Sequence, residues 1–197
     1  MNFTDLTAKN LFQTEGFGSA TPWLDLANSD LHDGFGKAKD LLDDPQWMRS
    51  FLTHWNFRVA GKKATPTAQL RRLRNLLRSL IEKSGAAAEL HGADVAELNT
   101  WLKVAVFPQL VKDHNGFALQ LRAAQIGWPA ILSAIAESFA RTLMEGQAGR
   151  LKLCANEDCR WAFIDRTKGN IRRWCNDATC GNRDRVRRSR AAKKRQK

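Results

Sequence analysis

Apolar residues recur every three or four positions in several stretches of the chain, which is the spacing of an α-helix. The clearest of these stretches is 66–83. The patterns at 93–106 and 129–144 predict two more helices, and Asp44 is placed to cap a further helix that begins at Pro45. The residues predicted to face the core from the first stretch are Leu70, Leu73, Leu76, Leu77, Leu80 and Ile81.

Four arginines fall on the remaining faces of the 66–83 helix. A charged helix face is more often solvated than bound to a ligand, so these side chains are predicted to point into solvent. They are Arg71, Arg72, Arg74 and Arg78. On the 93–106 helix, Val95 and Val106 are among the residues predicted to face inward.

An alternating pattern replaces the helical one after Pro108, which is predicted to end the preceding helix. Residues 110–113 and 117–123 are separated by a segment containing Asn115-Gly116, a strong signal for a tight hairpin turn. Apolar and polar residues alternate in the second strand, as in a strand with one buried face. Its predicted buried residues are Phe117, Leu119 and Leu121. The region is therefore predicted to be α+β, mainly helical with a small antiparallel hairpin.

Near the start of the chain, the apolar block at 23–28 contains two polar residues, Asp25 and Asn28. The block predicts either a strand or the first turns of a helix. Its two polar side chains serve either as caps or as a ligand site, and the block alone leaves both interpretations open. The preceding mixture of polar, glycine and aromatic residues at 1–22 predicts an irregular arm.

Two glycines, Gly146 and Gly149, predict a short linker at 146–150. The linker divides a larger domain at 1–145 from a C-terminal module at 151–197. The first residues lack a basic, apolar leader, and no apolar run approaches the roughly 18 residues of a membrane span. We therefore expect a cytoplasmic protein that makes no contact with a membrane.

All four cysteines lie in the C-terminal module, as two C-x4-C pairs separated by fifteen residues. Two close pairs joined by a spacer can bring four thiolates to one tetrahedral zinc ion. Two disulfides and an iron–sulfur cluster are the alternatives. The clustering favours one structural Zn²⁺. The predicted ligands are Cys154, Cys159, Cys175 and Cys180.

The residues between and after the cysteine pairs predict a hairpin followed by a helix. Residues 160–165 are aromatic and branched like a strand, 167–170 suit a turn, and 171–174 are suited to a returning strand. The next segment has the pattern of a helix with Asn176 as its N-cap. The predicted order is treble-clef-like, with one cysteine pair before the hairpin and one at the start of the helix.

The module carries the sequence CGNR at 180–183, preceded by RRWC at 172–175. With the first cysteine pair, these residues resemble the CGNR zinc-finger family of bacterial proteins, in which the finger follows an ABATE-like domain. The block at 23–28 resembles the start of that domain, with Ser29 where threonine is usual. Members are described as stress-induced transcription regulators. The resemblance therefore implies a sensing N-terminal domain and a finger that acts on nucleic acid.

The positive charge is concentrated at the C-terminal end. The chain has a formal net charge of +12, and residues 150–197 hold 16 of its 32 basic and 5 of its 20 acidic residues. This asymmetry predicts a polyanionic partner for the module, with DNA expected first. Basic side chains on an exposed helix can lie along phosphates or enter the major groove. The predicted contacts are Arg172, Arg173, Arg183, Arg187, Arg188, Arg190 and Lys194.

Other functions stay open from the sequence. RNA is an alternative partner if Trp161, Phe163 and Trp174 stack on bases rather than form a small core. An acidic protein is another alternative, and a small-molecule effector could bind near the polar residues of the first block. We do not expect an enzyme, because residues 150–197 contain no histidine and a four-thiolate zinc has no open position. The pattern does not indicate an oligomeric state.

Overall fold

The computed structural model describes residues 21–33, 35–59, 61, 64–85, 90–114 and 116–195 of the chain. The irregular arm predicted at 1–22 therefore lies outside the described residues, except for its last two positions. Among the described helices, none combines the length and the apolar character needed to cross a lipid bilayer.

Helices make up most of the regular secondary structure of the described chain, as the apolar patterns predict. The long helix at 66–83 is confirmed, and the block at 23–28 forms a helix rather than a strand. The predicted cap is confirmed too, because Asp44 Oδ1 accepts hydrogen bonds from the backbone N–H groups of Gln46 and Trp47 at 2.9 and 3.3 Å. The helices are α1 (Pro22–Ala27), α2 (Pro45–His54), α3 (Thr67–Gly85), α4 (Gly92–Asn99), α5 (Trp128–Thr142) and α6 (Asn182–Arg195).

The strands of the described residues form three small antiparallel sheets of two strands each. Each sheet joins two consecutive strands of the chain. The predicted combination of helices with small antiparallel sheets is therefore confirmed. The pairs are β1 (Asp30–His32) with β2 (Ala38–Asp40), β3 (Val106–Asp113) with β4 (Gly116–Ala123), and β5 (Leu151–Leu153) with β6 (Ala162–Ile164).

Helix α3 lies at the centre of the hydrophobic core, and all six of its residues predicted to face inward are buried. Trp23 and Leu26 of α1 and Ile135 and Phe139 of α5 belong to the same core. The indole N–H of Trp23 also donates to Thr142 Oγ1 at 2.9 Å, so the one polar atom of this large buried ring is satisfied. The three helices together form the scaffold on which the C-terminal part rests.

The same core continues into the C-terminal part through Leu151 of β5 and Ala162 of β6, which are both fully buried. Strand β5 lies so close to α3 that a Cβ on Gly85 would stand 2.8 Å from the carbonyl oxygen of Leu151. The connection at 146–150 runs through short helical turns, with Gly146 at a φ of 71°. The two regions share one core, and the domain division at 146–150 stays a prediction.

Two of the arginines predicted to be solvated, Arg74 and Arg78, are buried. Arg74 donates to Asp40 Oδ1 at 2.7 Å and to Ser29 Oγ at 3.0 Å. The prediction is wrong because neighbouring segments cover this helix face and supply acceptors that periodicity cannot show. Burial disfavours the Asp40 carboxylate, but hydrogen bonds from Arg74 and Arg71 outweigh burial and lower the pKa of Asp40 to about 2.

The helix predicted at 93–106 is shorter than expected, because α4 ends seven residues earlier. The Thr100 hydroxyl closes its last turn by donating to the Glu97 carbonyl at 2.7 Å. Val95 and Val106 are 46% and 54% exposed, so the prediction that both face inward is wrong. Val106 belongs instead to the strand that follows.

The hairpin predicted from the Asn-Gly pair is confirmed as β3–β4. It is longer than predicted, because Pro108 lies within β3 rather than at the end of a helix. Asp113 pairs with Gly116, so a two-residue turn joins the strands. The predicted burial of one face is wrong at Phe117 and Leu119, which are each 72% exposed.

Candidate metal centre and basic helix

Four cysteine sulfur atoms form a compact cluster, all within 4.8 Å of one another, and all four thiols are free. The Sγ atoms of Cys159 and Cys175 are 3.7 Å apart, as are those of Cys175 and Cys180. A disulfide requires about 2.05 Å, whereas ligands 2.3 Å from a tetrahedral zinc ion stand about 3.8 Å from each other. The spacing therefore fits a metal site. The fourth sulfur is that of Cys154.

The surroundings of the cluster also fit a bound cation. Four ionised thiolates at this spacing would repel each other strongly without one. Hydrogen bonding with Cys159 lowers the pKa of Cys154, whereas hydrogen bonding with Cys154 raises the pKa of Cys159 and Cys175. The four thiols would therefore ionise together only if a cation offset their charges. Cys154 and, more weakly, the Asn156 side chain lower the pKa of Cys180. The Asn156 amide nitrogen is buried without a hydrogen-bond partner. The sulfur of a metal-bound thiolate could accept a hydrogen bond from it.

The first cysteine pair lies in the loop of the β5–β6 hairpin. The loop is closed at its base by the Cys154 N–H, which donates to the Trp161 carbonyl at 2.8 Å. Since β6 pairs with β5, the predicted hairpin between 160–165 and 171–174 is wrong. Residues 171–174 form no strand. The wider treble-clef-like arrangement stays a prediction.

The buried carboxylate of Asp165 organises the segment between the two cysteine pairs. It accepts hydrogen bonds from Lys152 Nζ at 2.7 Å, Thr167 Oγ1 at 2.6 Å and the Arg172 N–H at 2.7 Å. A side chain thus holds the returning chain, which explains why 171–174 needs no strand ladder. Burial opposes ionisation, but Lys152 and Thr167 hold the pKa of Asp165 well below its usual range. Sequence reasoning missed this residue, because nothing in its spacing pairs it with Lys152.

The second cysteine pair lies at the entry to α6. The predicted N-cap is confirmed, because Asn176 Oδ1 accepts a hydrogen bond from the Thr179 N–H at 3.0 Å. A Cβ on Gly181 would overlap the Asp177 carboxylate and stand 3.2 Å from the Trp174 ring. Close packing beside the metal site therefore disfavours a side chain at the glycine of the CGNR sequence.

Asn28 joins α1 to the C-terminal part. Its amide donates to the Ala162 carbonyl at 3.0 Å and accepts from the Ala162 N–H at 2.7 Å, as a neighbouring strand would. Beside it, the Arg78 guanidinium donates to the carbonyls of Ala27 at 2.8 Å and Arg160 at 2.9 Å. Burial lowers the pKa of Arg78. Two buried side chains thus connect the N-terminal helices to the hairpin that carries the first cysteines.

Asp25, the other residue predicted for a ligand site, lies on α1 and accepts a hydrogen bond from Trp55 Nε1 at 2.8 Å. Asn28 is buried, and both ends of its amide bind Ala162. The observed contacts of both residues are structural. A small-molecule site at these positions stays a prediction.

Two of the arginines predicted to bind nucleic acid face the protein. Arg183 donates to the Asp33 carbonyl at 3.2 Å, and its guanidinium lies 4.1 Å from the centre of the Phe35 ring. The Arg172 guanidinium donates to the Cys175 carbonyl, beside the metal site. Arg183 thus joins α6 to the N-terminal part, and Arg172 stabilises the segment beside the metal site.

The basic residues of α6 from Arg185 to Lys193 are exposed, and two of them are held in position by an acidic residue. The carboxylate of Asp184 is nearly buried and pairs with Arg187 at 3.0 Å and Arg188 at 2.8 Å. Arg190 lies one turn further along the exposed helix. The structure thus brings these three predicted contacts to one exposed helix.

A second group of basic side chains surrounds Trp174. The guanidinium groups of Arg173 and Arg185 lie 5.0 and 5.9 Å from its ring centre. Arg173 was predicted to bind nucleic acid, whereas sequence reasoning missed Arg185 because it falls outside the helical spacing used. The backbone of Lys194 belongs to α6, but its side chain lies outside the described part.

A helical domain joined to a four-cysteine module with a basic helix is the architecture of a zinc-finger protein. Residues 20–146 match the ABATE family, described as "Putative stress-induced transcription regulator", and residues 150–193 match the CGNR zinc finger. The chain therefore belongs to the ABATE family and carries a CGNR zinc finger after that domain, which confirms the resemblance seen in the sequence. A comparison with curated proteins returns no match.

Proposed function

We propose that this protein is a transcription regulator that binds duplex DNA through α6, and that one structural Zn²⁺ holds this helix in place. The main support for the proposal is the composition and position of α6. It contains eight basic residues and one acidic residue, and it begins beside the cysteine cluster. The family description, a transcription regulator, supports a nucleic-acid partner.

The zinc ion would be held by the thiolates of Cys154, Cys159, Cys175 and Cys180. A closed four-thiolate site supplies folding energy rather than chemistry, typically about 10–16 kcal/mol. The last ligand, Cys180, lies in the helical turn Asp177–Gly181 that leads into α6, so the ion would fix the start of the basic helix relative to the hairpin. A site without an open position also supports a binding role over a catalytic one.

The exposed helix has no core function that explains its composition. Its one large apolar residue, Val186, is 41% exposed. The Asp184 carboxylate already restricts Arg187 and Arg188, which lowers the ordering cost when these side chains bind phosphates. Arg190 and Lys193 are exposed further along. This arrangement supports contacts to a row of phosphates along a groove.

The aromatic residues support DNA over single-stranded RNA. Phe163 is buried, and Trp161 and Trp174 pack against the cysteine cluster. These are the rings that would have to stack on unpaired bases. Their role as a small core around the metal site therefore favours recognition of a duplex by the helix.

The test is the salt dependence of binding to duplex DNA by the full zinc-loaded chain. Six phosphate contacts would give a log–log slope of about −5. Replacing Arg190 and Lys193 together by glutamine should reduce the slope by about 2. Lys103→Gln, an exposed residue outside the finger, is the matched control and should leave the slope unchanged. Wild-type binding without a salt slope would overturn the proposal.

RNA and an acidic protein remain the alternative partners for the same basic surface. Competition between duplex DNA and single-stranded RNA of equal length distinguishes DNA from RNA as the partner. We expect the duplex to compete better. A pull-down with and without nuclease treatment separates the second. A partner that is captured equally well after nuclease treatment would replace DNA in the proposal.

A further inference from the structure

The β3–β4 hairpin has one face that is almost entirely apolar and open to solvent. Paired residues of an antiparallel ladder point to the same side, so the register places Val106, Leu110, Leu119 and Phe117 on one face, together with Pro108. Leu110 is 64% exposed, and Phe117 and Leu119 are 72% exposed. We refer to these five residues as the apolar arm face.

The opposite face of the same hairpin is mixed in character. It carries Gln109, Gln120 and Arg122 beside Phe107, Val111 and Ala118, and Arg122 Nε donates to Gln109 Oε1 at 3.2 Å across the strands. On the apolar side, the charged residue is Lys112, whose ammonium group lies 5.5 Å from the centre of the Phe117 ring. The two faces differ in degree, because Phe107 on the mixed face is 48% exposed, whereas the apolar arm face holds the more exposed Leu110, Phe117 and Leu119.

A hairpin of two strands is marginally stable in water unless another layer covers its apolar face. Among the described elements, β3 and β4 pack mainly on each other. A contiguous exposed patch of large side chains is typical of an interaction surface. A stable hairpin of this kind therefore requires an apolar layer over its exposed face, and the described residues do not supply one.

We propose that the apolar arm face packs against the same face of a second copy of this chain across a two-fold axis. The surface is suited to itself, because a face with a single charge demands no complementary charge from its partner. The exposed parts of its four largest side chains amount to roughly 500 Å² per copy. A dimer would bury roughly 1,000 Å² in total, which is the lower limit for a specific interface.

Two hairpins in this arrangement form a small four-stranded sandwich with an apolar interior. The dimer does not depend on the DNA-binding proposal. If both proposals hold, the two basic helices are related by a two-fold axis and the DNA site is palindromic.

The test is sedimentation equilibrium of the full chain, with Leu119→Glu and Gln120→Glu as a matched pair. The two substitutions place the same charge on neighbouring residues of β4 that face opposite sides. We expect a wild-type dimer and an unchanged Gln120→Glu dimer. Leu119→Glu should raise the dimer dissociation constant about 100-fold or more, since each copy contributes one buried leucine. Circular dichroism should show the same helix content for all three proteins.

A wild-type protein that stays monomeric at about 100 μM would overturn the proposal, since a specific dimer would be populated there. So would a Leu119→Glu variant with an unchanged dissociation constant, because the interface would then lie elsewhere. Deletion of residues 1–20 supplies a further outcome. If the wild type is monomeric and the deletion variant dimerises through β4, the first residues cover the arm and the proposal is wrong for the intact chain.

Discussion

Gly181 is a residue whose identity is limited by its neighbours. Any Cβ at this position would meet the Asp177 carboxylate and the Trp174 ring. We predict that Gly181→Ala lowers the free energy of unfolding by about 1–3 kcal/mol, because packed atoms must shift. It should also weaken metal retention. Chemical denaturation and a zinc-release assay measure the two effects.

The control for this substitution is Gly149→Ala. A Cβ at Gly149 meets no atom within 4 Å, so this variant should match the wild type in both assays. Equal effects of the two alanine substitutions would show that the close packing at Gly181 does not contribute to the free energy of unfolding.

Asp40 gives the protein a specific pH dependence. Its folded-state pKa of about 2 lies below the ordinary value of 3.8, so the carboxylate stabilises the fold above pH 4. That contribution is lost as the pH falls from about 4 towards 2. We predict that Asp40→Asn costs about 1 kcal/mol or more at pH 7, after allowance for solvent screening. The difference from the wild type should shrink between pH 4 and pH 2, measured by urea denaturation at each pH.

Asp43→Asn serves as the control for this prediction. Asp43 also pairs with Arg71, at 2.6 Å, but its side chain is 63% exposed. An exposed pair contributes little, so this variant should cost less than about 0.5 kcal/mol at any pH. A stability difference for Asp40→Asn that stays constant with pH would contradict the assignment.

At the scale of elements, the sequence predicts what is encoded locally. The leucine stripe of α3, the Asp44 and Asn176 caps and the hairpin of β3–β4 depend on residues within a few positions of each other. For the same reason the four clustered cysteines are recognisable from their spacing alone.

The features that the sequence does not predict depend on contacts between distant residues. Strand β6 pairs with β5, and Asp165 holds the returning chain in place of a strand, but no periodicity reveals that hydrogen-bond network. Arg78 is another example, since its acceptors are carbonyl groups on separate elements. Charge alone predicts an arginine in solvent, and only the fold shows that the acceptors are present.

The joint between α1 and β6 yields a prediction at this scale. Asn28→Asp keeps the size of the side chain, but it removes the donor to the Ala162 carbonyl and buries a carboxylate against it. We expect a loss of about 2 kcal/mol or more. Faster hydrogen exchange at the Ala162 amide would show that the loss of stability arises at the contact with residue 28. Asn75→Asp, on the exposed face of α3, should change neither quantity.

At the scale of the whole molecule, the metal site and the helical core are expected to respond differently to metal removal. The cysteine loops and the start of α6 depend on the cluster, whereas α3 and α5 are held by the apolar core. We predict that a chelator removes hydrogen-exchange protection between residues 154 and 195. Helix α3 should keep most of its protection. Cys175→Ser should reproduce this pattern without chelator.

Two results would contradict this prediction. Loss of protection in α3 to the same extent as in α6 would mean that the metal stabilises the entire fold. Unchanged protection across 154–195 would mean that the four thiols pack without help from an ion. Either result is read directly from peptide-level exchange of the full chain.

The close fit between β5 and α3 limits how this protein can be recombined. A chimaera that transplants residues 150–195 onto a foreign scaffold would leave Leu151 and Ala162 uncovered and the Ala162 backbone without its Asn28 partner. A successful graft has to include α1 and α3 as well. The smallest segment that can be transferred intact is therefore larger than the cysteine spacing suggests. Exchanges of the finger between relatives should succeed when α1 and α3 are exchanged together with it.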